Sequence, residues 1–64
     1  MPRRYRMPDS ATATELGIIL EGVGVTTIEE HHLGVTYLIV DDDRPAVAAA
    51  IHRLEPRAHP VSDW

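Results

Sequence analysis

The chain has no cysteine and no phenylalanine among its 64 residues, and no lysine, asparagine or glutamine either. Without cysteine there is no disulfide, no thiolate metal site and no thiol nucleophile, a usage that fits a reducing compartment. Glycine is sparse, at 4 residues, and never gathers into a phosphate-cradling loop. Ser10 and Ser62 are the only serines, and neither sits in the setting of an activated nucleophile. No apolar run approaches the ~20 residues of a membrane span. Met1 to Pro8 carries charge with no apolar stretch behind it to form a signal peptide. These absences predict a soluble, cytoplasmic, non-enzymatic chain without a cofactor. Charge of one sign is also in short supply, with 6 basic residues against 10 acidic ones. Arg3, Arg4 and Arg6 crowd the first eight positions, so the body is acidic and lacks the basic face of a dedicated nucleic-acid binder.

What is present points first to assembly. Val35-Thr36-Tyr37-Leu38-Ile39-Val40 is apolar on both faces of a strand: Val35, Tyr37 and Ile39 on one, Leu38 and Val40 on the other. A single domain of this size buries only ~60% of the surface its unfolded chain exposes, and its core supplies about 3–5 kcal/mol. It has room for helices on one side of a sheet, so the second apolar face must meet something from outside the chain. A second copy is the simplest such partner. Val35, Tyr37 and Ile39, or the opposite set Leu38 and Val40, would line that interface.

The order of elements follows from local signals. Residues 1–8 form a basic N-terminal segment in which Arg3 to Met7 reads as a first strand, with Pro2 and Pro8 at its ends. Asp9 or Ser10 caps a first helix, with Thr12 and Glu15 spaced like a capping box for a slightly later start. Ala13, Leu16, Ile19, Leu20 and Val23 make its apolar stripe, and Gly22 and Gly24 stop it. Gly17, costly inside a helix, marks close packing against a sheet. Val25 to Leu33 reads as a second strand and Gly34 as the tight turn into the third. Asp41-Asp42-Asp43 ends that strand and caps a second helix, with Pro45 in its first turn. Val47, Ala50, Ile51 and Leu54 form the stripe of this helix, which Pro56 terminates. Residues 57–64 form an edge strand or tail, since Pro60 bars a central position. The predicted fold is α+β: a ferredoxin-like β-α-β-β-α-β two-layer sandwich, an antiparallel sheet with two helices on one face.

Val25-Thr26-Thr27-Ile28-Glu29-Glu30, Val35 to Asp41, and Ala46 to Leu54 together resemble the second half of an ACT domain. In that family a strand leads to a hairpin, then to an apolar strand ending in acids, then to a helix carrying Ala, Leu and His. The resemblance implies a small regulatory module that pairs through sheets or helices and binds a small ligand such as an amino acid. The family's ligand loop carries a Gly after the first strand. Here that loop is Met7-Pro8-Asp9-Ser10, so no binding residue carries over.

Three clusters offer other chemistries. Glu29, Glu30, His31 and His32 are of the ligand types for zinc, nickel or copper. On a strand Glu29 and His31 share one face and Glu30 and His32 the other, so a metal site needs His52, His59 or a second chain. Asp41, Asp42 and Asp43 lack the spacing and glycine of a calcium loop and read as helix caps. Arg3, Arg4 and Arg6 are the candidate nucleic-acid contacts. Outward stacking of Tyr5 beside Tyr37 would turn Arg4 and Arg6 towards the helices, at the cost of burying unpaired guanidiniums. Trp64 has the apolar area to be captured by a groove or a neighbouring subunit. The sequence thus predicts a self-associating regulatory or interaction module that holds a protein partner or small ligand at its subunit boundary. A metal-binding protein and a nucleic-acid accessory protein are the alternatives.

Overall fold

A computed structural model describes residues 2–42 and 44–61. Asp43 and Trp64, for which a cap and a captured side chain are expected, lie outside the described residues. The elements run β1 (Arg3–Met7), α1 (Ser10–Gly22), β2 (Thr27–His32), β3 (Val35–Val40), α2 (Pro45–Leu54) and β4 (His59–Val61). The four strands form one antiparallel sheet in the order β2-β3-β1-β4. The most apolar strand, β3, is central, and the proline-bearing strand is an edge.

One face of this sheet carries the core. Tyr5, Met7, Leu38 and Val40 are buried together with Ala13, Leu16 and Leu20 of α1 and Val47 and Ile51 of α2. Both helices therefore pack on the same side of the sheet, an α+β arrangement compatible with a two-layer sandwich. The burial of Tyr5 raises its hydroxyl pKa, with Arg3 opposing the shift.

Asp9 caps α1, accepting a hydrogen bond from the Thr12 N–H at 2.7 Å. That bond holds the Asp9 carboxyl below its ordinary range. The box expected from Thr12 and Glu15 is not used, because the helix starts three residues before Glu15 could reach back to its cap. The α1 stripe also differs from expectation. Ile19 and Val23 are exposed, and Gly17 is the buried member in their place. A Cβ on Gly17 would stand 3.0 Å from Thr27 Oγ1 and 3.8 Å from Leu38 Cδ1. The glycine is thus what lets α1 lie close on β2 and β3. Gly24, at φ +86°, turns the chain after the helix, whereas Gly22 is an ordinary helical residue.

Strand β2 is shorter than expected. Val25 lies before it and reaches the core, so Val25 and Ile28 need not share a face. Likewise, among the described acids before α2, Asp41 and Asp42, neither caps it. Arg44 is the N-cap and supplies no side-chain bond. Asp42 instead accepts from the Arg44 N–H at 3.0 Å and from its guanidinium, which stiffens the connection rather than the helix end. Pro45 opens α2 and Leu54, at its far end, is exposed.

The β2–β3 hairpin turns on two residues, since His32 pairs with Val35. Both have positive φ, Leu33 at 52° and Gly34 at 78°. This is the turn that prefers Asn-Gly, and a branched, 90% exposed leucine is a poor occupant of its first position. Leu33→Asn is expected to stabilise the fold by about 0.5–1 kcal/mol, measured as an upward shift of the urea midpoint at unchanged slope. No shift, or a downward one, would show that Leu33 makes a contact worth more than its strain.

Candidate interface on the open sheet face

The face away from the helices is set by the register. Glu30, Tyr37, Arg6 and His59 form one row across β2, β3, β1 and β4. The next row is Ile28, Ile39, Arg4 and Val61. His32 and Val35 complete the face beside the turn. Of the two sets that could have faced outward, Val35, Tyr37 and Ile39 do so. Leu38 and Val40 are consumed by the core.

The outward set is only half-buried, and it is not bare. The Arg4 guanidinium lies 4.0 Å from the centroid of the Tyr37 ring. It also reaches Glu30 at 3.5 Å, so the guanidinium bridges the Tyr37 ring and the Glu30 carboxylate. A cation held over an aromatic face contributes about 0.5–1 kcal/mol at an exposed site. Ile28, 62% exposed on the edge strand, extends the apolar stripe to one side. The face is therefore an apolar band from Ile28 through Ile39, Tyr37 and Val35, with basic groups on β1 and β4 and an acid on β2.

The metal-type residues divide as strand alternation dictates. Glu30 and His32 lie on the open face, while Glu29 and His31 lie on the helix side of β2. There they are already engaged. Thr14 Oγ1 donates to Glu29 Oε1 at 2.7 Å, and His31 Nε2 lies 2.7 Å from Glu29 Oε2. His31 Nδ1 lies 3.2 Å from Thr36 Oγ1. A proton on Nε2 satisfies the whole chain, with Nε2–H donating to Glu29 and Nδ1 accepting from the Thr36 hydroxyl. The Thr14 bond is the main reason the Glu29 carboxyl is held below its ordinary range, and His31 adds to it. This chain gives buried Thr36 its partner and ties α1 to β2. Among the described residues no group of three or more His, Asp or Glu side chains could hold a metal ion.

The arginines are likewise separated. Arg3 pairs with Val40 and so falls on the helix side, whereas Arg4 and Arg6 fall on the open face. Tyr5 points into the core, so the aromatic pair that RNA-binding sheets display is not formed. Ile28, Glu30 and His59 are the members of the face that reading the strands singly misses. The signal for them was present, because the two-residue turn fixes the register and counting back in steps of two places Glu30 beside Tyr37. No helix is long and apolar enough to cross a membrane. Compared with known proteins, the chain matches no protein-family model, no curated protein and no solved structure. Its function must be read from its own surfaces.

Proposed function

We propose that this protein is a small, non-enzymatic interaction module of the ferredoxin-like type that self-associates through its open sheet face. The observation that carries the reading is the outward set Val35, Tyr37 and Ile39, continued by exposed Ile28, on a domain too small to cover that face itself. A monomer leaves Ile28 exposed and Val35, Tyr37 and Ile39 half-covered, and burying what remains is worth about 25 cal/mol per Å² of apolar surface. The ACT-like pattern of the second half agrees with a regulatory module of the cytoplasm. A protein partner or a small ligand such as an amino acid would then sit at the subunit boundary, where the polar groups of Glu30, His32 and His59 rim the apolar band.

Light scattering on the native protein and on Tyr37→Glu tests the reading. The native chain is expected to reach dimer mass in the micromolar range, and the variant to stay monomeric at tenfold higher concentration. Tyr37→Glu removes the ring under Arg4 and puts a charge at the centre of the face. It leaves the core untouched, so the circular dichroism of the variant should match the native spectrum. A native monomer at several hundred micromolar would overturn the proposal.

A further inference from the structure

Resting on that reading, we infer that the partner on the open face is a second copy held about a two-fold axis parallel to the strands. The face carries its charges in halves. Arg4 and Arg6 belong to β1, and Glu30 belongs to β2. Two faces that meet about an axis along the strands lay the β2–β3 half of one copy over the β1–β4 half of the other. Glu30 of each copy then meets a basic side chain of the other. With the axis along β3, which the register favours because it sets β2 over β1, that side chain is Arg6.

The other face-to-face axis runs across the strands. It lays every strand on its own counterpart, so a symmetric pair centred on the Tyr37 row sets Arg6 against Arg6 and Glu30 against Glu30. Like charges in register across an interface are repulsive, and such juxtaposition is how wrong arrangements are rejected. Apolar area cannot make the choice, since both axes bury the same band. The footprint is also modest. Four strands ~4.8 Å apart and about six residues rising ~3.4 Å each give a face roughly 20 Å square. Two such faces total ~800 Å², the size of a weak, reversible contact rather than a standard interface, so the placement of charge decides orientation. Arg6 has no ion-pair partner among the described residues, and Glu30 meets Arg4 only at 3.5 Å. Arg6 is thus available to a second chain, and the Glu30 side chain, 47% exposed beside Arg4, is accessible to one.

The test is a charge exchange read by sedimentation equilibrium. Arg6→Glu and Glu30→Arg are each expected to raise the dimer dissociation constant at least tenfold, because each creates two symmetry-related like-charge contacts. The double variant Arg6→Glu/Glu30→Arg, in which the contact is rebuilt with its signs reversed, is expected to return within about threefold of native. Native dimerisation with singles unchanged, or with a double no tighter than the singles, would overturn the axis while leaving self-association standing. A native monomer would overturn both. Circular dichroism of each variant guards against misfolding, and both sites are on the exposed face of the sheet.

Discussion

Replacing Leu38 by alanine is expected to leave much of the protein unfolded in dilute buffer at room temperature. Leu38 is 1% exposed and sits at the middle of the central strand, against α1. Truncating a buried leucine costs about 2–5 kcal/mol, the lost transfer term plus the cavity left behind. A core of this size supplies only about 3–5 kcal/mol, so a single cavity consumes most of the margin. Urea denaturation followed by circular dichroism should show the folded baseline shortened or lost. Ile39→Ala is the matched control, one residue along the same strand and on the opposite face. In dilute solution it should cost less than about 1 kcal/mol. Equal losses at the two positions would mean that the open face is as well packed as the core, and the case for an outside partner would fall.

Gly17→Val is expected to destabilise the fold by about 1–3 kcal/mol. Its Cβ would come within 3.0 Å of Thr27 Oγ1, and the two methyl groups beyond it would press on β2 and Leu38. Alanine separates backbone from bulk at this site. Gly17→Ala gains up to about 1 kcal/mol of helix propensity but meets the same hydroxyl, which must yield by a few tenths of an ångström. The net change should lie near zero. Because Gly17 and Leu38 share a contact, Gly17→Val and Leu38→Ala should be less than additive when combined. Full additivity, or a harmless valine, would show that α1 can lift from the sheet without loss.

Those two positions also mark how far the amino-acid order could be read. The sheet order, a tight turn at Gly34 and the close approach at Gly17 all follow from local rules of period, turn chemistry and glycine cost, whereas the part Leu33 plays in that turn does not. So did the division of Glu29 and His31 from Glu30 and His32, since alternation alone requires it. What escaped were choices that depend on elements distant in sequence. Ile19 and Val23 continue a helical stripe but are 41% and 73% exposed, so the stripe alone overstates the core. Asp42 had the composition of a helix cap, and Arg44, two residues on, captured it. The join of Arg4, Tyr37 and Glu30 draws one side chain from each of three strands. Only the register of all three strands places them together.

The two edges of the sheet are unequal, and the difference bears on how far this protein can grow. An edge strand is a template on which further strands can add without end. Among the described residues β4 offers three, His59–Val61, and Pro60 deprives it of one N–H donor. β2 is longer, Thr27–His32, but it presents Glu29 and Glu30 in succession, so a second β2 laid beside it would bring carboxylates together. Lateral extension into fibrils is therefore blocked at one side by missing donors and discouraged at the other by repulsion. Stacking through the open face, by contrast, uses that face up when two copies meet. Association of this kind closes on itself, and concentration alone should drive the chain to a particle of fixed size instead of a polymer.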